Sequence, residues 1–122
     1  MKKSNCFALQ ISVKYFFEAG FLFFGKNLLM KKHYDIRVIG NVQGVFFRAS
    51  ARSHAEALSL NGFAQNESDG SVYMEVEGTE ENLKLFVEWC HRGTERAVVE
   101  KVDVKEGVVQ NFTEFKVNRH MW

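Results

Sequence analysis

Hydrophobic and polar residues alternate along much of the chain, and their spacing from residue 33 onward predicts both strands and helices. In the segment HYDIRVIG, which begins at His33, every second residue is apolar: Tyr34, Ile36 and Val38. A period of two is typical of a strand with one buried face, so a strand that ends at Gly40 is predicted here. The same period recurs in SVYMEVEG, where the alternating apolar residues are Val72, Met74 and Val76.

Two segments repeat their apolar residues at helical spacing. The first spans 48–60, and its apolar stripe consists of Ala51, Ala55 and Leu58. The Asn61-Gly62 pair would end this helix, because both residues tolerate a left-handed backbone. The second helix is predicted to begin after Thr79, a good N-cap residue, and to end at Gly93. Its apolar stripe consists of Leu83, Phe86, Val87 and Cys90.

The order of the predicted elements indicates the fold class. Between the helices, FAQNES, the turn pair Asp69-Gly70 and SVYMEVEG are typical of a β-hairpin. AVVEKVDVKEG and FTEFKVNRH follow the second helix and are predicted as two final strands. The order β-α-β-β-α-β, with a short extra strand, predicts an α+β ferredoxin-like sandwich. In that fold, two helices cover one face of an antiparallel sheet.

Composition and charge narrow the classes of function. The chain has 122 residues, enough for one domain, and a net charge of +1, which argues against a nucleic-acid binder. Its two cysteines, Cys6 and Cys90, fit no metal-ligand spacing, so we predict neither a metal site nor a cofactor. The sequence indicates no disulfide framework, so we expect a reducing, cytoplasmic location. Cys90 lies on the second helical stripe and is interpreted as a core residue.

Residues 1–32 differ from the rest of the chain and are interpreted as an N-terminal extension of a domain that spans 33–122. They are rich in aromatic residues, but Lys14, Glu18 and Lys26 interrupt every apolar run, so no membrane span is predicted. The sequence MKK recurs at Met30, which could be an alternative start of the protein. The other interpretation is an amphipathic anchor or a partner-binding extension.

A glycine-containing loop between the first strand and the first helix is the strongest candidate for a binding site. Gly40 and Gly44 allow the backbone to curl around a ligand, and the helix that follows presents unpaired N–H groups at its N-terminus. Arg48 adds a planar set of donors suited to a phosphate or a carboxylate. Neither known nucleotide pattern, GxxxxGK[ST] or GxGxxG, is present. The loop therefore predicts a small anion such as a phosphoryl group, with a tight turn beside a solvated arginine as the alternative.

Two stretches taken together, GNVQGVFFR and GFAQNESDGSV, resemble the acylphosphatase family over residues 34–118. The resemblance implies an enzyme that hydrolyses the carboxyl-phosphate bond of an acyl phosphate to a carboxylate and inorganic phosphate. It also implies that Arg48 is the catalytic arginine that binds the substrate and that Asn66 positions the attacking water. The phosphate cradle would be the loop backbone of Gly40, Asn41, Val42, Gln43, Gly44, Val45, Phe46 and Phe47.

Two departures from the family pattern affect packing and not the reacting groups. Ala64 stands where a valine is usual, and Gly93 is followed by Thr94 where the family usually has proline. The implied partner is a small-molecule acyl phosphate, with no metal, no cofactor, no nucleic acid and no stable membrane span, and we expect a monomer. A catalytically silent anion-binding or regulatory ferredoxin-like module is the alternative.

The remaining polar and aromatic candidates are interpreted as structural. None of the four histidines shares a catalytic spacing with a serine or a cysteine, and each is predicted to lie at the surface or at an edge: His33, His54, His91 and His120. Arg52 is assigned to a solvated helix face and Asp69 to the hairpin turn. Phe46 and Phe47 are predicted to support the core and the cradle.

Overall fold

A computed structural model describes residues 30–118 of the chain, and in this range it contains five strands and two helices. The elements, in chain order, are β1 (Lys31–Asn41), α1 (Phe47–Ala57), β2 (Asn61–Asn66), β3 (Val72–Thr79), α2 (Glu80–Arg92), β4 (Val98–Gly107) and β5 (Phe115–Val117). Strand β1 includes Lys31 and Lys32, which were assigned above to the N-terminal extension. The predictions made for residues 1–29 and for His120 lie outside the described residues. Neither described helix is long and apolar enough to cross a bilayer.

The strands form one sheet in the order β4-β1-β3-β2-β5, which agrees with the predicted ferredoxin-like sandwich. The pairs of β1 with β3, β1 with β4 and β2 with β3 are antiparallel, as predicted, whereas the short strand β5 pairs parallel to β2, so the sheet is mixed. The cause is the connection of residues 108–114. It carries the chain from β4 at one edge to the opposite edge, where β5 runs in the direction of β2.

One hydrophobic core joins the two helices to one face of the sheet. The predicted alternation along β3 is confirmed, because Val72, Met74 and Val76 are all fully buried. The helical stripes are confirmed at these core positions: Ala51, Ala55, Leu83, Phe86 and Cys90. Leu58 and Val87 are only partly buried against the core. Burial raises the pKa of the Cys90 thiol above its ordinary value, so this cysteine stays protonated and behaves as an apolar core residue.

Local capping explains where α2 begins and ends. The side-chain oxygen of Thr79 accepts a hydrogen bond of 3.3 Å from the backbone N–H of Asn82, as an N-cap residue does. Gly93 follows the helix with φ of 70°, a backbone conformation that glycine adopts without strain. Both predicted ends of this helix are confirmed.

The predicted end of the first helix was wrong. Helix α1 ends at Ala57, and the left-handed residue behind it is Ser59, with φ of 57°. Asn61 and Gly62 already belong to β2. A Cβ atom at position 62 would lie 1.8 Å from the backbone oxygen of Glu75, so this glycine allows β2 and β3 to approach each other and does not cap a helix.

Asp69 has the role in the hairpin turn that the sequence predicted. Its Oδ1 accepts hydrogen bonds from the backbone N–H of Ser71, at 2.9 Å, and from the Ser71 hydroxyl, at 2.6 Å. An aspartate that bonds to the backbone two residues ahead stabilises a tight turn.

His33 is buried on a strand inside the sheet, which contradicts its predicted position at the surface or at an edge. Its side chain is only 2% exposed, because it lies on the sheet face crossed by residues 108–114, and the Phe112 ring is 5.9 Å from the imidazole. Burial disfavours the charged imidazole, but hydrogen bonds to Glu77 and Asp35 outweigh it and raise the pKa of His33 above its ordinary value.

Two of the other histidines lie in the described part of the chain. His91 is exposed, as predicted. The ring of His54 stacks on Trp89 with centroids 4.5 Å apart, so its side chain is partly covered by α2.

Phe46 and Phe47 are adjacent in the sequence but differ in their environments. Phe47 is 1% exposed and packs on Trp89, with ring centroids 4.9 Å apart, whereas Phe46 is 76% exposed and therefore not a core residue. We expect Phe47→Ala to lower the free energy of unfolding by about 3–5 kcal/mol, because it leaves a cavity in the core. Phe46→Ala is the matched control, and we expect it to change stability by less than about 1 kcal/mol. Urea denaturation of both variants tests this, and equal losses of stability would contradict it.

Candidate active site

A cavity of about 270 Å³ lies where the N-terminus of α1 meets the ends of β2 and β5. Its lining residues are Val42, Gly44, Phe46, Phe47, Arg48, Ala49, Asn66 and Val117. Arg48 and Asn66, the two candidate catalytic residues, therefore line the same cavity. Ala49 and Val117 were not identified from the sequence.

Only half of the eight loop residues predicted to form the phosphate cradle line this cavity: Val42, Gly44, Phe46 and Phe47. Gly40, Asn41, Gln43 and Val45 are absent from its lining. Gly40 and Asn41 belong to β1, and a Cβ at position 40 would lie 2.1 Å from the backbone oxygen of Val98. The first glycine of the loop therefore allows β4 to approach β1 at a register shift. Gly44 has φ of 74°, and no neighbouring atom lies within 4 Å of its Cβ position.

Two side-chain contacts hold the loop between β1 and α1 in place. The side-chain amide of Gln43 donates to the backbone oxygens of Glu67, at 2.8 Å, and Ser71, at 2.9 Å. On the other side, the Thr94 hydroxyl donates to the backbone oxygen of Val45 at 2.9 Å. Gln43 and Val45 thus position the loop from outside the cavity. Thr94, which replaces the usual proline, supplies one of the two anchors.

The backbone at this end of α1 is suited to an anion. Phe46 is the N-cap residue, with φ of 61°, and no side chain caps the helix. The first turn of α1 contains no acidic residue. Among the hydrogen bonds of the described residues, none is donated by the backbone N–H groups of residues 43–46. Unpaired N–H groups and the positive end of the helix dipole both attract negative charge.

The side chain of Arg48 contacts a residue that is distant in the sequence. Its Nη1 donates to the backbone oxygen of Asn118, which follows β5. Asn118 is itself held on β2, because its N–H donates to the Ala64 oxygen at 2.9 Å and its side-chain amide donates to Gln65 Oε1 at 3.1 Å. The guanidinium is therefore tied to the strand that carries Asn66. The local sequence contained no signal for this contact, because the two residues are 70 positions apart.

Asn66 offers an acceptor to the cavity. It is the last residue of β2, and strand alternation places it on the same side as the buried Ala64. Its Oδ1 is buried and has no hydrogen-bond partner among residues 30–118. An unpaired buried acceptor costs about 1–3 kcal/mol, so its presence in a cavity suggests a ligand or a water that donates to it.

Comparisons with known proteins identify the family of this chain and agree with its fold. The profile of the family Acylphosphatase matches residues 34–117. An acylphosphatase of Nocardioides sp. is 43% identical over 88 residues, which cover 72% of this chain and 89% of the relative. The crystal structure of acylphosphatase from Bacillus subtilis matches with a TM-score of 0.71 and 33% identity, covering 74% of this chain and 100% of that one. An acylphosphatase structure from Coxiella burnetii matches with a TM-score of 0.70 and 36% identity, covering 72% and 93%. The chain therefore belongs to the acylphosphatase family of hydrolases.

Proposed function

We propose that this protein hydrolyses an acyl phosphate, that the cavity binds the phosphoryl group, and that Arg48 and Asn66 carry out the reaction. The observation that supports this most directly is the unpaired buried Oδ1 of Asn66, which lines the same cavity as the Arg48 guanidinium. The guanidinium only donates hydrogen bonds and attracts an anion, whereas the amide oxygen accepts hydrogen bonds and can bind a water. Hydrolysis of a phosphoryl compound requires both functions at one place.

In this proposal, Arg48 and the loop backbone hold the phosphoryl oxygens. The guanidinium offers planar donors that match two oxygens of a phosphate. The N–H groups of residues 43–46 and of the first turn of α1 add donors that are already in place before the substrate binds. Preorganised donors stabilise the charge that develops on the phosphoryl group, because they need no rearrangement during the reaction.

Asn66 would orient the attacking water. Its Oδ1 accepts a hydrogen bond from the water and directs the water oxygen at phosphorus, opposite to the leaving group. An amide does not take up a proton at neutral pH, so we assign the proton of the water to an oxygen of the substrate phosphate. The new bond joins the water oxygen to phosphorus, and the bond between phosphorus and the acyl oxygen breaks.

The leaving group explains why no protein acid is needed. The electron pair of the broken bond stays on a carboxylate, whose conjugate acid has a pKa of about 4 by analogy with aspartic and glutamic acid. Such a group leaves as an anion at neutral pH without receiving a proton. The proposed reaction therefore depends on binding, orientation and charge stabilisation, and it requires no metal.

The test is an assay of the purified protein with benzoyl phosphate as a simple aryl acyl phosphate. We expect benzoate and inorganic phosphate as products, and the same turnover with and without EDTA. Binding of inorganic phosphate without any hydrolysis would favour the alternative, a silent anion-binding module. Hydrolysis that stops when EDTA is added would contradict the metal-independent mechanism.

A further inference from the structure

A second group of polar side chains lies on the face of the sheet that the helices do not cover. His33 and Asp35 are two residues apart on β1, and Glu75 and Glu77 are two residues apart on β3. The register pairs His33 with Glu77 and Asp35 with Glu75. Because alternate residues of a strand share a face, all four side chains project to the same side. Sequence analysis identified no ligand cluster, since the pair on β1 and the pair on β3 are separated by at least 40 positions in the chain.

Three of these side chains bring ligand atoms close together. Nε2 of His33 lies 2.8 Å from Oδ1 of Asp35 and 3.3 Å from Oε1 of Glu75. One ligand atom from each of these residues lies within 4.8 Å of the other two. In a tetrahedral zinc site with bonds of about 2.0–2.1 Å, the ligand atoms are roughly 3.3 Å apart. The three atoms are therefore spaced closely enough to share one cation after small movements.

Neighbouring side chains hold these ligands in the required orientation. Nδ1 of His33 lies 2.7 Å from Oε2 of Glu77 and Nε2 lies 2.8 Å from Oδ1 of Asp35. Because a carboxylate only accepts, both ring nitrogens carry hydrogen in the metal-free protein, and a cation at Nε2 would displace its proton to solvent while Nδ1 stays bonded to Glu77. Glu77 is itself held in place, because its carboxylate oxygens accept hydrogen bonds from the backbone N–H groups of Gln110 and Phe112.

Glu75 is oriented in a similar way. The hydroxyl of Tyr73 donates to Oε2 of Glu75 at 2.7 Å, which leaves Oε1 directed at His33. Metal-binding histidines and carboxylates in proteins usually have outer partners of this kind.

The balance of charge around His33 also favours a cation. Three carboxylates surround a single imidazole, and within residues 30–118 no lysine or arginine forms an ion pair with Asp35, Glu75 or Glu77. A protonated imidazole would compensate only one of the three negative charges. A divalent cation bound by Nε2 would compensate two, while Nδ1 stays bonded to Glu77.

We propose that His33, Asp35 and Glu75 form a binding site for a divalent transition-metal cation, with Zn²⁺ as the best match. One nitrogen and two carboxylate oxygens are a ligand set that zinc accepts, and the nitrogen disfavours Mg²⁺ and Ca²⁺. Asp35 lines an open cavity of about 420 Å³ and is accessible from solvent there; the cavity is also lined by Arg37, Tyr73, Asp103, Val104 and Lys105.

The function of this cation would be structural. It would join β1 to β3 and, through Glu77, support the connection of residues 108–114 that crosses this face. Asn66 lies on the other face of the sheet, with the helices, so the cation would take no part in hydrolysis. The inference does not depend on the proposed function, and its test is a measurement of binding.

The test is a titration of the metal-free full chain with ZnCl₂ in an isothermal titration calorimeter, together with thermal unfolding of the chain with and without ZnCl₂. We expect one ion per chain, and a rise of the unfolding temperature of about 10 °C at a hundredfold excess over Kd. His33→Gln and Glu75→Gln should each weaken binding by a hundredfold or more, since each removes a ligand. His91→Gln replaces an exposed histidine of α2 and should bind as the parent protein does.

Several outcomes would contradict the proposal. One is the absence of stoichiometric binding to the parent protein, and another is unchanged affinity in both ligand variants. Co²⁺ provides a second readout, because a site of nitrogen and oxygen ligands lacks the intense thiolate charge-transfer band that coordination by Cys6 or Cys90 would give. If His33→Gln does not fold, Glu75→Gln decides the question.

Discussion

Replacing Arg48 with alanine is expected to lower kcat/KM for an acyl phosphate by a hundredfold or more. The substitution removes a charged donor from the cavity where the phosphoryl group is proposed to bind. Lysine should restore only part of the loss, because a single ammonium group lacks the planar pair of donors that contacts two oxygens at once. Steady-state kinetics of the parent protein, Arg48→Ala and Arg48→Lys measure the effect on rate, and inhibition by inorganic phosphate measures the effect on binding.

Arg52 provides a matched control for this experiment. It lies one turn further along α1, its side chain is exposed, and its Nε is 3.1 Å from Oε2 of Glu56, as expected for a residue on a solvated helix face. Arg52→Ala should therefore keep nearly the parental rate. Near-parental turnover in Arg48→Ala, or an equal loss in both variants, would contradict the role proposed for Arg48.

Asn66→Ala is expected to abolish measurable turnover and to leave inhibition by inorganic phosphate largely intact. The reason is that orienting the water and binding the phosphoryl group are separate tasks, and the second is assigned to Arg48 and the loop backbone. Folding should be preserved, since the Oδ1 of Asn66 makes no hydrogen bond within the described residues. The measurements are the turnover number, the inhibition constant of phosphate and the thermal unfolding curve of the same preparation.

Asn61→Ala is the corresponding control on the same strand. Asn61 is at the opposite end of β2, where its side-chain amide donates to the backbone oxygen of Phe112 at 3.0 Å. We expect its loss to affect stability and not turnover. If the affinity of Asn66→Ala for phosphate falls as steeply as its rate, Asn66 binds the substrate directly and the role assigned to it is wrong.

The sequence predicted those parts of the fold whose structure depends on neighbouring residues. The alternation of apolar residues in β3 and the N-cap at Thr79 are local patterns, and both are present as predicted. Local patterns are reliable where a strand or helix has one buried face, because burial then repeats with the period of the element. The resemblance to one family supplied Arg48 and Asn66, which the structure brings to the same cavity.

The features that sequence reasoning missed depend on contacts between distant residues. His33 is buried because residues 108–114 cross the sheet above it, and nothing in the alternating pattern of β1 indicates this. Gly62 was predicted to end the first helix, because Asn61 and Gly62 together are typical of a helix end. In the structure, Gly62 lies in β2 and allows β3 to approach closely. The position of Asn118 beside Arg48 likewise follows from the parallel pairing of β5 with β2.

The pairing of β5 with β2 has a consequence for the order in which the protein acquires activity during synthesis. Chains are synthesised and begin to fold from the N-terminus, and contacts that close long loops form late. Val117 lines the cavity and Asn118 contacts Arg48, so one wall of the cavity comes from the end of the described chain. A nascent chain can therefore pair β1 with β3 and β2 with β3 while it still lacks that wall. The proposed site is therefore complete only after β5 has left the ribosome, and chains that terminate before β5 would lack this wall of the cavity.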